Sequence, residues 1–290
     1  MRTLFLLIAI ALKYMTHAQT ALIEKLDSVI AAQPEAFVAV AVRDAATGTE
    51  INLHADSVFH AASTMKVPVM IEAYRRQEAD RLSMDNMLTV KNEFRSIVDG
   101  SSYSIEEDSD DVIYERLGED ITFRELIYRM MTVSSNLATN LLIDYLVPDS
   151  IQNTVDRLGA SGMRVLRGVE DIKAYERGMS NRTTARALAN LMQHIMQGTA
   201  VSPAADSAMV GIMLHSVSNE MIPSGLPLGT PVANKIGLIT RIHHDAAIVY
   251  PSEDAPYVLV ILIRGIDDAT ESADLGARLT HIVHNALRPE

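Results

Sequence analysis

Cysteine is absent from this 290-residue chain. That excludes disulfides, thiol catalysis and a lipid-modified N-terminal cysteine together. Positive charge is scarce as well: 25 Lys and Arg stand against 37 Asp and Glu, for a formal net charge of -12. Nucleic acid and anionic lipid both need a basic face to displace counterions, so neither is an expected partner. No phosphate-binding glycine loop, zinc-ligand spacing, internal repeat or long flexible linker is visible, and neither metal nor cofactor is expected. The longest apolar run is at the start. Arg2, the run Leu4 to Leu12, and Thr16-His17-Ala18 have the order of a secretory signal over residues 1–18, with a mature chain from about Gln19. Lys13 interrupts the run well short of the ~20 residues of a spanning helix, so no stable membrane anchor is expected. What remains has 48% apolar residues, ample for a packed core, and invites a search for a small-molecule substrate.

Apolar spacing predicts a helix over Thr20 to Ala32, ended by Pro34, then β-rich runs at Ala36 to Val42 and Glu50 to Leu53 across a turn at Ala45-Ala46-Thr47-Gly48. From Ser63 to about Met221 the spacing is helical. Strand signals return at Val232 to Leu238, Ala246 to Tyr250 and Tyr257 to Ile263, and a helix over Ser272 to Leu287 closes the chain. The expected fold is therefore α+β: an antiparallel sheet built from both termini (19–62 and 222–290) with flanking helices, and an inserted all-helical domain (63–221). A site would lie in the crevice between the two parts. The acidic run Glu106-Glu107-Asp108-Ser109-Asp110-Asp111 reads as a solvated loop, and His243-His244, adjacent on a strand and facing opposite ways, as structural.

The chemistry starts at Ser63-Thr64-Met65-Lys66. A serine hydroxyl needs a base to take its proton, and residues three apart share a helix face, so Lys66 is expected to reach Ser63. Ser134-Ser135-Asn136 precedes a helical stretch and can turn its outer side chains to one side: Ser134 to relay a proton, Asn136 to hold a substrate amide and Lys66. Lys235-Ile236-Gly237 lies on the first late strand. Lys235 supplies positive charge, Gly237 lets a substrate lie against the backbone, and the N–H groups of Leu238 and Ser63 are candidate oxyanion donors.

These three motifs, in this order, resemble those of the class A serine β-lactamases and related penicillin-binding proteins: Ser-x-x-Lys, Ser-Asp-Asn and Lys-Thr/Ser-Gly. The resemblance extends over nearly the whole mature chain, including Leu137-Ala138-Thr139-Asn140-Leu141-Leu142. It implies a β-lactamase/transpeptidase-like fold and a serine hydrolase that opens the β-lactam amide through an acyl-serine. The signal segment and the lack of cysteine together fit a bacterial periplasmic location, and the resemblance points to Glu170, 36 residues beyond Ser134, as the base for the deacylating water. An ion pair of Glu170 with Arg167 or Lys173 is the plainer alternative. The sequence departs from the family in three places. Ser135 replaces the Asp, Ile236 replaces the hydroxyl residue that binds a substrate carboxylate, and Asp171-Ile172-Lys173-Ala174 lacks the family's Leu-Asn pair after Glu170. Thr240 or Arg241 is the expected substitute contact for Ile236. Rival activities on the same residues are a D-Ala-D-Ala peptidase, an amidase or esterase, and a β-lactam-acylated binding protein with little turnover.

Overall fold

The computed structural model describes residues 19–289; the signal segment expected at 1–18 lies outside them. The central sheet has five strands: β1 (Phe37–Asp44), β2 (Glu50–Leu53), β3 (Val232–Ile239), β4 (Ile242–Val249) and β5 (Tyr257–Arg264), in spatial order β2-β1-β5-β4-β3 and all antiparallel. Both termini thus contribute, and β3 is a free edge.

Alternation along the strands divides the interior in two. Val38, Val40 and Val42 of β1, with Leu259, Ile261 and Ile263 of β5, face one core. There they meet Leu22 and Leu26 of α1 (residues 19–30) and Leu275, Leu279 and Val283 of the closing helix. Ala39 and Ala41, with Val258, Val260 and Leu262, face a second, larger core shared with the helices of the middle of the chain. Since both faces are covered, β1 and β5 are nearly continuous apolar runs rather than alternating ones.

The middle of the chain supplies α2 (Lys66–Glu78), α3 (Phe123–Thr132), α4 (Asn136–Leu146), α5 (Pro148–Arg157), α6 (Ala185–Met196) and α7 (Pro203–Met213); α8 (Ala269–Leu287) closes the chain. Side-chain oxygens start most of them. Thr122, Ser135, Thr184, Ser202 and Asp268 each accept a first-turn backbone N–H, and Pro148 and Pro203 sit where a missing N–H costs nothing. Helix α2 is buried from Lys66 through Tyr74. It is tied to α5 by the buried carboxylate of Glu72, which accepts from Arg75 (2.7 Å), Arg76 (2.8 Å) and Thr154 Oγ1 (2.7 Å).

Three short ladders accompany these helices: Phe59–His60 with Arg182–Thr183, Met87–Thr89 with Asp120–Thr122, and Phe94–Arg95 with Ser102–Tyr103. Two- and three-residue strands carry no periodicity, which is why helical spacing alone described this stretch as all-helical. Strand β4 likewise begins at Ile242, four residues before the predicted start, because His243, His244 and Asp245 interrupt its apolar pattern although all three are buried.

Candidate active site

Ser63 lies in a 3-10 turn, Ala62–Met65, that runs directly into α2, and Ala62 before it has φ +45°. The turn is pressed against the edge strand β3. A Cβ on Gly237 would come within 3.0 Å of Ala62 Cβ and 3.1 Å of the Ser63 nitrogen. Gly237 is therefore required for the close approach of strand to turn. Leu238, the next residue on the strand, is exposed.

Lys66 opens α2 with its side chain fully buried. Its Nζ donates to Ser134 O (2.6 Å), to Asn136 Oδ1 (2.9 Å) and to Ser134 Oγ (3.2 Å). Helical spacing led us to expect a Ser63–Lys66 hydrogen bond, and there is none: the amine turns to the three oxygens of the second motif instead, and the Ser63 hydroxyl has no partner among the described residues. Burial drives the Lys66 pKa well below its ordinary value and the charge of Lys235 adds to this, while Asp108 and Glu170 oppose it. A neutral amine fits the same geometry. Its two hydrogens go to the carbonyl and amide oxygens, and its lone pair is free to accept from a hydroxyl.

Ser134, also left-handed at φ +60°, joins the two lysines. Lys235 Nζ donates to Ser134 Oγ at 2.9 Å and to the Ile236 carbonyl at 3.0 Å. Burial lowers the Lys235 pKa to about 8 in spite of Asp245 and Glu220. Asp245 is pushed the other way, up to about 7, by its own burial, which outweighs its hydrogen bonds from the Ile222 N–H and the Asn234 amide.

Glu170 (φ +59°) reaches the same place. Its Oε1 accepts from Asn136 Nδ2 at 3.1 Å and its Oε2 from the Glu106 N–H at 2.8 Å. The alternative ion pairs are not formed: Arg167 donates to the carbonyls of Met179 and Gly168, and Lys173 to Asp99. Asn140 holds the loop that carries Glu170, accepting the Val169 N–H at 2.7 Å and donating to the Val169 carbonyl at 3.0 Å. Ala174, in the place of the family's Asn, is buried and has no side-chain polar atom to offer a water.

The acidic run is a loop with Glu106, Glu107, Ser109 and Asp111 exposed, as expected, but Asp108 and Asp110 turn inward. Asp108 accepts the N–H groups of Asn136 and Leu137, both at 2.8 Å, and the Tyr114 hydroxyl at 3.1 Å, so its carboxylate caps α4. The Glu107 carbonyl accepts from Asn136 Nδ2 at 3.0 Å, and buried Asp110 pairs with Arg129 at 2.9 Å. The segment is a strap across the second motif, and its carboxylate stands where Ser135 has no charge to offer. Asp108 and Asn140 were both missed from sequence. For Asn140 the signal was an amide within an apolar helix, which must find partners when buried.

Arg241 is committed elsewhere, to Asp267 at 3.0 Å and the Gly265 carbonyl at 2.7 Å, so it is no substitute at the groove floor, while Thr240 is exposed in the hairpin turn. His244 bonds the His60 carbonyl at 2.9 Å, and His243 lies 4.0 Å from Glu220.

The sequence pattern of the beta-lactamase enzyme family matches residues 21–287. The chain belongs to this family. Among relatives, a β-lactamase of Rhodobacter capsulatus is 24% identical over 256 residues, covering 86% of this chain and 84% of the relative. The Pseudomonas aeruginosa β-lactamase CARB-4 is 23% identical over 218 residues, 74% and 72% of the two chains. Among solved structures, that of PBP-A superposes with a TM-score of 0.81 at 25% identity, covering 92% of this chain and 96% of the other. A β-lactamase from Xanthomonas campestris pv. campestris gives 0.82 at 19% identity, with 93% and 99% covered, a likeness of fold. The β-lactamase/penicillin-binding-protein fold and membership of a β-lactamase-like hydrolase family are thus established for this chain. Among the described residues no helix is long and apolar enough to cross a membrane.

Proposed function

We propose that this protein is a secreted, periplasmic serine hydrolase that opens the β-lactam amide through an acyl-Ser63 intermediate, with residues 1–18 as its export signal. The substrate would lie between the sheet part (19–62 and 222–290) and the helical part (63–221). The observation that carries this reading is the chain Lys66 Nζ, Ser134 Oγ, Lys235 Nζ, with contacts of 3.2 and 2.9 Å, starting one turn after Ser63, whose hydroxyl has no partner among the described residues.

In this reading neutral Lys66 takes the Ser63 proton as Oγ attacks the lactam carbonyl carbon. The N–H groups of Ser63 and Leu238 hold the resulting oxyanion. The lactam C–N bond breaks as Ser134 hands its proton to the departing nitrogen and is reprotonated from Lys66. Lys235 and Asn136 orient the substrate. Glu170 then takes a proton from the water that attacks the ester carbonyl, the ester C–O bond breaks, and a proton passed through Lys66 restores the Ser63 hydroxyl while Glu170 returns its proton to Lys66.

A second reading has specific support. Oε2 of Glu170 is occupied by the Glu106 N–H, and Ala174 offers no hydrogen bond to a deacylating water, so acylation with slow release is the alternative. A neighbouring structure of PBP-A bears on it: an L158E mutant of that protein was captured as an acyl-enzyme with penicillin G. A D-Ala-D-Ala peptide, amide or ester substrate would use the same Ser63 and Lys66. Intact-mass time courses with penicillin G separate these readings. A transient adduct with product accumulation supports hydrolysis, and a persistent adduct supports the binding protein. No adduct together with turnover of neither penicillin G nor peptide, or an adduct that survives Ser63→Ala, refutes the assignment, and peptide release without β-lactam turnover favours the peptidase.

A further inference from the structure

The turn that carries Ser63 is held by a side chain outside all three motifs. The Ala62 N–H points at Nδ1 of His60, 3.0 Å away. A backbone N–H can only donate, so Nδ1 must be the unprotonated nitrogen and the ring proton must sit on Nε2. Ala62 has a Cβ yet adopts φ +45°, a conformation that persists only where its surroundings impose it. His60 is itself fixed: its carbonyl accepts from His244 Nε2 at 2.9 Å, and its ring packs edge-on against Tyr175 at 6.0 Å between centroids.

We propose that His60 is a positioning residue for acylation: its unprotonated Nδ1 holds the left-handed turn at Ala62 that aims Ser63 into the groove. This rests on the reading of Ser63 as the nucleophile.

Protonation of His60 places a second N–H against that of Ala62, so the hydrogen bond is lost and the turn is released. The groups that face His60 from the packed elements are Arg167 and Tyr175 of the Glu170 loop, Arg182 opposite it in the short ladder, and His244 of β4. None is a carboxylate, and burial together with the Arg167 charge lowers the His60 pKa. Acylation is therefore supported above that pKa and declines below it.

The test uses the full chain with penicillin G as probe, following single-turnover acylation by intact mass between pH 4.5 and 8. His60→Ala should acylate roughly 10-fold more slowly at pH 7, the loss of one hydrogen bond at the reacting turn. His60→Asn should recover most of the rate, because an Asn oxygen accepts the N–H two residues on and does not titrate. It should also lack the decline that follows His60 titration in the wild type. Nitrogen-15 spectra of the unmodified protein should show the Nε2–H tautomer and an Ala62 amide signal that moves with the His60 titration.

A wild-type rate in His60→Ala, an unchanged acid limb in His60→Asn, or an Nδ1–H tautomer would each overturn the proposal. If His60→Ala does not fold, the Asn variant and the spectra still decide. If the wild type is not acylated at all, the proposed function fails while the spectra still judge the His60–Ala62 contact.

Discussion

Asp108→Ala is the substitution most at odds with a plain reading of the acidic run, since loss of one carboxylate from six consecutive polar residues would ordinarily relieve repulsion. Here Asp108 places one oxygen on the Asn136 N–H and the other on the Leu137 N–H, both at 2.8 Å. These are orphan donors of the first turn of α4, where the helix dipole also favours negative charge. Each charge-assisted bond contributes about 1.5–3 kcal/mol, and the Ser135 side chain still caps the Ala138 N–H after truncation. A net loss of about 2–4 kcal/mol follows, which at ~2–4 °C per kcal/mol lowers the unfolding midpoint by roughly 4–16 °C. Because Ser134 and Asn136 flank this cap and together receive all three bonds from Lys66, acylation by penicillin G should slow as well. Differential scanning calorimetry and stopped-flow acylation read the two effects separately. Asp108→Asn, which keeps one acceptor, should fall between. A variant that melts within about 1 °C of wild type and acylates at its rate would show that the strap contributes no structure to the site.

Gly237→Ala should leave the fold intact but slow acylation at least about tenfold, because the added Cβ meets Ala61, Ala62 and Ser63 at 3.0–3.2 Å and must push the turn away; a rate unchanged from wild type would mean that the turn yields freely. Ile236→Thr restores a donor on the groove floor and should tighten penicillin G binding by about 1.5–3 kcal/mol, read as a fall in the concentration giving half-maximal acylation. Lys235 loses its proton as pH rises through about 8, so affinity for an anionic β-lactam should weaken above that pH, and Lys235→Arg should abolish the dependence. Burial alone would raise the Glu72 pKa, but hydrogen bonds from Arg75, Arg76 and Thr154 bring it below the ordinary value. The stability it contributes is thus fully present above the unfolded carboxylate pKa of about 4.3 and lost as pH falls below it. Glu72→Gln should cost about 3 kcal/mol in urea unfolding at pH 7 and flatten the acid limb of stability.

Those parts of the fold with a local physical signature were legible. Strands β1 and β5 announce themselves because a strand covered on both faces must be apolar at nearly every position. The three motifs were legible because the chemistry restricts residue type at fixed short spacing. Asp108 was not, since its contact with Asn136 spans 28 positions in sequence and a run of acids gives no hint which member will be drawn to a helix end. The expected Ser63–Lys66 bond failed for a related reason: periodicity orders residues on one element, whereas the partners of Lys66 come from another, about 70 positions on. Arg241 likewise lay near the motif in sequence, but Asp267 and the Gly265 carbonyl, brought close by the β4–β5 pairing, claimed it first.

Three left-handed residues with side chains, Ala62, Ser134 and Glu170, meet at this site. Each such conformation costs on the order of 1–2 kcal/mol, so together they amount to a sizeable fraction of a domain's net stability. Each is held by a group that none of the motifs names: Ala62 by the ring of His60, Ser134 by the α4 start that Asp108 caps, and Glu170 by the Glu106 N–H and the Asn140 clamp on Val169. Strain of this kind persists only if its supports are stronger than the preference to relax. Removing a support should therefore slow the chemistry more than it destabilises the fold when the support holds only a short turn, as at Ala62. It should do both when the support also caps a helix, as at Ser134. Comparing His60→Ala with Asp108→Ala in the same two assays tests that distinction. The first should lie off the line of rate against stability defined by the second, and coincidence of the two would show that the strained backbone is merely tolerated.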